Sequence, residues 1–214
     1  VNYERLYEYR FRDVRQADRA GVWEEIARFV HEQLGRPSIV LDPAAGRGEF
    51  INAVPAAERW AVDAYDHAEG TYDPGVKRVV ADIFDADLPA GHFDAVFVSN
   101  FLEHLATQEQ VAAFLEKMAT LLRPGGAIAV MGPNFRHCPG EYFDMADHVL
   151  ALTERSVAEH LYAAGFEPTR IEPRILPYSF TGRLPPSPFL VRQYLKVPLA
   201  WRLLGKQFLV VARR

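Results

Sequence analysis

The chain has 214 residues, 49% of them apolar, which is enough for one sizeable core and short for two domains, so a single domain over 1–214 is expected. No stretch approaches the ~20 consecutive apolar residues of a membrane span, the opening VNYERLYEYRFRD is too charged for a secretory signal, and the lone Cys138 excludes an internal disulfide and a thiolate zinc cluster. The formal net charge of −4 argues against a general polyanion binder.

These exclusions lead to an expectation of a cytoplasmic protein, and a chain that opens on Val1 is expected to have a trimmed N-terminus. Val22, Ile26, Phe29 and Val30 stand at helical spacing ahead of Gly35, so they predict a helix with a glycine stop that completes an N-terminal cap over 1–36. SIVLD follows as a buried strand. After a turn with Gly46 and Gly48, EFINAVPAA reads as a short helix, and RWAVDAYD as a second strand ending at Asp63. VKRVVADIF and HFDAVFVSN supply a third and a fourth strand. Thr107 and Gln110 form a capping box ahead of Val111, Phe114, Leu115, Met118 and Leu121. That helix stops at LLRPGG, and GAIAVM is a fifth strand closing a core over 37–135. A helix over 153–164 begins at Thr153 and stops at Gly165, and FEPTRIEPR and QFLVVARR are two further strands, one of them antiparallel. Short strands without polar alternation, separated by helical patterns, imply a doubly wound α/β fold whose mostly parallel sheet is covered on both faces.

In such sheets ligands sit beyond the carboxyl ends of the strands, near the point where strand order reverses. Gly46 and Gly48 let a ligand lie directly on backbone amides at a helix N-terminus. A dinucleotide fingerprint needs a third glycine where this chain has Ile51, so NAD is disfavoured. Asp63 lies about 20 residues past the turn, the distance at which a carboxylate accepts from ribose hydroxyls. A nucleoside without a pyrophosphate fits better.

In the fragments VLDPAAGRG, AVD, VADIF, FDAVFVSNFLEHL, LLRPGG and AIAVMGPN, in that order over roughly 38–173, the sequence resembles class I S-adenosylmethionine-dependent methyltransferases, a seven-stranded Rossmann-like family with an antiparallel last strand. Ala44 replaces the first glycine of the family's Asp-x-Gly-x-Gly-x-Gly pattern. The resemblance implies S-adenosyl-L-methionine as cofactor. It assigns Asp42, Ala44, Gly46 and Gly48 to the methionine part, Asp63 to the ribose with Ala64 beside the adenine, Asp82 to the adenine amino group with Ile83 on the ring, and Ser99 and Asn100 to the border of the sulfonium. For single residues a structural role is the alternative: Asp82 as a turn cap, Gly48 as helix–strand packing.

A hydroxyl or protonated amine acceptor must lose a proton, and histidine is the natural base. His104, after the fourth strand, and His148, before the next helix, are the candidates. The structural alternatives are that His104 bonds local backbone and that His148 caps or orients the helix over 153–164. Asp147 could orient His148, and His137 and Tyr142 are weaker candidates. Glu103-His104 resembles the end of the Glu-x-x-Glu-His cation site that some family members carry, including the RNA 3′-end 2′-O-methyltransferases and the ubiquinone-pathway O-methyltransferases; the first glutamate of that pattern is Asn100 here, so no metal is expected.

From Arg170 onward nine Lys or Arg stand against one acid, Glu172, while the rest of the chain carries 15 basic and 27 acidic residues. Residues 175–205 form a basic and apolar insertion in which Pro198 allows at most two short helical pieces. It is read as a layer packed on the sheet, as an amphipathic surface making peripheral membrane contact through 183–206, or as a grip on an anionic substrate, and exposure of Trp201 separates these. The expected activity is methyl transfer to a small-molecule acceptor (a glycan, a lipid-linked sugar or a natural-product intermediate), preferably on oxygen, because histidine bases are at hand and the chain lacks the Asn-Pro-Pro-Tyr that adenine N-methyltransferases place after the fourth strand. A non-catalytic cofactor-binding module and an RNA methyltransferase are the alternatives, although no nucleic-acid partner is expected. The sequence does not define the oligomeric state.

Overall fold

The computed structural model describes residues 5, 6, 9, 10, 12, 16–68, 70–178 and 187–214. Its elements run α1 (Gln16–Gln33), β1 (Ile39–Asp42), α2 (Glu49–Ala53), β2 (Glu58–Asp63), β3 (Val76–Val80), β4 (Phe93–Ser99), α3 (Gln108–Leu121), β5 (Leu122–Pro133), α4 (Glu154–Ala163), β6 (Glu167–Glu172), α5 (Pro188–Leu195), α6 (Pro198–Leu204) and β7 (Gln207–Arg213). The seven strands form one sheet in the order β3-β2-β1-β4-β5-β7-β6. β1 to β5 pair in parallel, and β7 runs antiparallel to both β5 and β6. The doubly wound architecture with an antiparallel last strand is therefore present. Strand order reverses between β1 and β4, and that junction is where a crevice opens at the carboxyl ends.

Alternate residues of each strand feed opposite faces, because side chains on a pleated strand alternate. Leu41, Val62, Val96, Val98, Ile128 and Val130 join Val111, Phe114 and Leu115 of α3 and Val157 and Leu161 of α4. Val40, Ala61, Ala95, Phe97, Ala127 and Ala129 join Val22, Ile26 and Val30 of α1 and Phe50 and Ile51 of α2. The second face uses small alanines in the strands where α1 and α2 lie close.

Two local readings are refined. Gln110 N donates to Thr107 Oγ1 at 3.3 Å, but the Gln110 side chain accepts from Ala106 N rather than from the cap residue. The box that closes reciprocally belongs to α4, between Thr153 and Ser156. Arg123–Gly126 is not a loop before β5 but its irregular start: Phe93 lies opposite Leu122 and Ala95 opposite Ala127, so the extra residues are taken up as a bulge.

The insertion forms two short helices, with Pro188 and Pro198 in their first turns, where a missing N–H costs nothing. Arg183 lies outside the described residues. Trp201 is buried at 3% exposure, packed edge-on against Phe29, and its indole N–H donates to Tyr194 O at 2.9 Å. Arg192 forks onto Glu25 of α1 at 2.6 and 2.9 Å. One face of the insertion is thus a layer on the core, while Phe189, Leu199 and Leu203 remain exposed on the other. Among the described residues no helix is long and apolar enough to cross a membrane.

Candidate active site

The glycine turn follows β1 directly. Gly46 and Gly48 take the left-handed conformation, φ 52° and 72°, which side chains resist. Ala45 N donates to Val62 O at 3.0 Å and Gly46 N to Asp63 Oδ2 at 2.8 Å, so the turn is tied to the end of β2. Nothing lies within 4 Å of where a side chain on Gly46 would begin, which leaves this cradle open toward the crevice. Gly48 is different: a side chain there would meet the Tyr72 ring at 2.9 Å. Tyr72 also donates its hydroxyl to Gly46 O at 2.7 Å, clamping the turn from outside.

The acids predicted from the sequence converge at this edge. Asp42 ends β1 and is buried, and burial, outweighing the amide of Ala44, pushes its pKa up to about 8. Asp63 ends β2; its Oδ1 accepts from Tyr65 N at 2.9 Å and lies 3.2 Å from His67 Nε2. Each Asp63 oxygen keeps a lone pair for a ribose hydroxyl. Ala64 is exposed beside it. Asp82, past the end of β3, caps its own turn through Phe84 N at 2.9 Å and is exposed, so turn capping leaves its second oxygen available. Ile83 is buried in the core beside Val62 and Ala86. Ser99 ends β4, half-buried, and Asn100 after it has φ 49°, a conformation Asn tolerates better than most residues, with its N–H bonded to Met131 O at 2.9 Å. Asp42 and Asp63 therefore bracket a pair of left-handed glycines, a donor set suited to a cationic, hydroxylated nucleoside ligand.

Farther along the same edge, a single 3₁₀ turn, Leu102–His104, carries Glu103 and His104. The loop between β5 and α4 folds over it. Val149 N and Leu150 N both donate to Glu103 O, at 2.8 and 3.1 Å, and His104 Nδ1 donates to Asp147 O at 2.8 Å. The His104 and His148 rings stand 5.1 Å apart in an edge-on arrangement. Thus both histidines picked from the sequence meet, and Asp147 engages His104 rather than His148. Arg10 binds the Asp147 carboxylate. Burial raises that carboxyl, but the hydrogen bond from Arg10, with the His104 ring and the Arg10 charge beside it, outweighs burial and holds it below its usual range. Burial also raises Glu103 and lowers His148, the latter to about 4 with a further push from His104.

Tyr142 is buried completely, its hydroxyl donating to Leu150 O at 2.7 Å and accepting from Leu152 N at 3.2 Å, which makes it a brace for this loop. His137 lies in a turn closed on Asn134 O. A cleft of about 360 Å³ lies against the same loop, lined by Glu141, Asp144, Met145, Pro177, Tyr178 and Lys206 among others.

Residues 14–171 match a family model described as a methyltransferase domain. The chain is similar to a solved S-adenosylmethionine-dependent methyltransferase from Archaeoglobus fulgidus, with 20% identity, 100% of each chain covered and a TM-score of 0.67. It is also similar to the 1,6-didemethyltoxoflavin-N1-methyltransferase of Burkholderia thailandensis, with 22% identity, 99% and 88% covered and a TM-score of 0.60. A curated relative, the tRNA (carboxymethyluridine(34)-5-O)-methyltransferase of Arabidopsis thaliana, is 25% identical over 109 residues, which is 50% of this chain and 27% of that protein. With the family model spanning most of the chain, and a seven-stranded sheet whose last strand runs antiparallel, the chain belongs to the class I, Rossmann-like S-adenosylmethionine-dependent methyltransferases.

Proposed function

We propose that the protein methylates a hydroxyl oxygen of a small-molecule acceptor: a glycan, a lipid-linked sugar or a natural-product intermediate. The observation that carries this reading is the His104 ring. Its Nδ1–H is committed to Asp147 O at 2.8 Å, with the Asp147 carboxylate 3.6 Å away, so the lone pair sits on Nε2 at the crevice edge. A neutral hydroxyl must give up its proton as it accepts a methyl group, and an oriented imidazole takes it. Burial pushes the pKa of His148 to about 4, below the range useful for a base near neutral pH. The names of similar proteins divide: the Burkholderia structure is named for a small acceptor methylated at N1, and the Arabidopsis relative for an oxygen position on a tRNA, so the first supports the small acceptor and the second the oxygen.

The residues assigned to S-adenosylmethionine are those the family resemblance implies. Asp42, Ala44, Gly46 and Gly48 take the methionine part, Asp63 and Ala64 the ribose and adenine edge, Asp82 and Ile83 the adenine, and Ser99 and Asn100 the approach to the methyl group. When bound, the donor supplies a methyl carbon on a sulfonium, which becomes a neutral thioether as the carbon–sulfur bond breaks. The remaining task of the protein is to hold the acceptor oxygen in line at ~3 Å, where positioning alone supplies several kcal/mol.

Fractionated cell extracts incubated with methyl-labelled donor test the proposal. Label should enter a small hydroxylated compound, and with that compound His104→Ala should lower kcat/KM by ~10²–10⁴ while binding of S-adenosylhomocysteine is kept. Label in RNA would overturn the acceptor class, and full activity of His104→Ala would remove the base.

A further inference from the structure

The outward side of α5 and α6 is apolar where a surface layer would ordinarily be polar. Phe189, Leu190, Val197, Leu199, Leu203 and Leu204 are all exposed, Leu199 to 67% and Leu203 to 72%. They make up six of the thirteen large apolar side chains exposed among the described residues, all within one short segment, so random scatter does not account for them. Spacings of three and four gather them on one face: Phe189, Leu190, Gln193, Lys196 and Val197 along α5 and just past it, and Leu199, Arg202 and Leu203 along α6. The opposite face sends Val191, Leu195 and Trp201 into the core. Between Pro188 and Leu204 the cations are Arg192, Lys196 and Arg202, and there is no acid. Arg192 is committed to Glu25, whereas Lys196 and Arg202 are exposed and form no ion pair among the described residues. We infer that this face docks on an anionic lipid membrane and so presents the acceptor end of the crevice to a lipid-linked acceptor. This deepens the proposed function and rests on its placement of the acceptor there.

Charge selects the occupant. A second copy seated on the same face would bring like charges together, and an RNA would be offered leucines where base stacking needs aromatic rings. A membrane interface takes both features at once, since Leu and Phe side chains enter the acyl boundary while Lys and Arg stay among anionic headgroups. Trp201 is not the anchor. Turned into the core, it fixes the layer in place and leaves the outward side chains to the lipid. Arg174 holds the far end of α6, donating to Leu203 O at 3.1 Å and to Gly205 O at 2.7 Å. Helices of eight and seven residues present too little apolar surface for permanent insertion, so the docking is peripheral, reversible and weakened by salt.

The cleft of about 360 Å³ joins this face to the loop that carries His148. Leu204 and Lys206 line it from the insertion, and Glu141, Asp144 and Met145 line it from the loop between β5 and α4. Phe143 and Val149 of that loop are exposed as well. Apolar side chains therefore flank the cleft on both sides, and a head group entering from a lipid surface keeps its tail beside them.

Sedimentation of the full chain with vesicles of phosphatidylcholine alone, and of an equal mixture of phosphatidylcholine and phosphatidylglycerol, tests the docking; S-adenosylhomocysteine calorimetry on the same samples reports folding and the donor site. We expect at least ~10-fold stronger partition onto the mixed vesicles, since each cation near such a surface contributes about 5-fold. The double variant Leu199→Glu, Leu203→Glu should lose at least ~10-fold of that partition, and Arg202→Gln about 5-fold, both with S-adenosylhomocysteine affinity unchanged. Methyl label from the extract incubation should enter the organic phase when the products are divided between chloroform–methanol and water. Equal partition of wild type and double variant, or of wild type onto the two kinds of vesicle, would overturn the docking and leave the proposed function standing. Self-association in the ultracentrifuge that the double variant abolishes would assign the face to a second copy and overturn it too. Label confined to a small compound in the aqueous phase would refute the lipid-linked acceptor. Absence of S-adenosylhomocysteine binding by the wild type would instead strike the proposed function.

Discussion

An acid as buried as Asp42 resists ionisation, and its folded pKa of about 8 against a usual value of 3.8 sets the sign of its effect on stability. Because the raised pKa makes the folded state the tighter proton binder, the penalty grows as pH rises from about 4 and is complete above about 8. Asp42→Asn removes the charge while keeping an acceptor for Ala44 N. Its melting temperature should exceed that of the wild type by an amount that widens from pH 5 to pH 8, as measured by calorimetric scans, while affinity for the donor falls. A gap that stayed constant with pH would show that Asp42 ionises freely in the folded protein. Tyr72 shows what sequence reading misses at this scale. It clamps Gly46 and packs on Gly48, yet it lies in the long β2–β3 connection, where no periodicity or motif distinguishes one tyrosine from another.

At the level of elements, close approach explains residues that composition does not. Gly21 of α1 faces Pro188 of α5, 2.7 Å from where a side chain would begin, and Gly205 sits against the backbone of Trp201, Arg174 and Ile175 at 2.6 to 2.9 Å. Backbone cannot step aside as a side-chain tip can, so Gly205→Ala should cost about 1–3 kcal/mol in chemical denaturation. Gly140→Ala, with nothing within 4 Å, serves as the neutral control. Equal stability of the two variants would refute the packing described for the turn into β7. Strands and helices here were legible because buried parallel strands are continuous apolar runs and their helices carry one apolar face. The start of β5 was not, since Pro124, Gly125 and Gly126 have turn chemistry but are recruited into a bulge by pairing with β4. Pairing across a sheet is a tertiary effect that a local signal cannot report.

For the molecule as a whole, the proposed donor half of the crevice follows from topology. Asp42, Asp63 and Asp82 end or follow successive strands of a parallel sheet, and parallel strands bring their carboxyl ends to one edge whatever the loops do between them. That is why these positions, with Gly46 and Gly48, were readable from order along the chain. The proposed acceptor half is assembled by a loop that folds back over the turn after β4. His104 and His148 were recognisable as candidates, but their approach to each other and to Glu103 depends on the bonds from Val149 and Leu150 to Glu103 O, which no spacing encodes. The insertion divides similarly: Leu195 and Trp201 face the core, and Phe189, Leu199 and Leu203 stay exposed.

The central claim, that an adenosyl ligand lies across the turn after β1 with its ribose on Asp63, is tested most directly by isothermal calorimetry of S-adenosylhomocysteine with wild-type protein and Asp63→Ala. The wild type should bind one equivalent and the variant should lose at least ~10-fold in affinity, the equivalent of a hydrogen-bonded charge removed from the site. Equal affinity in the two proteins would contradict the placement of the ribose and, with it, the orientation of everything else in the crevice.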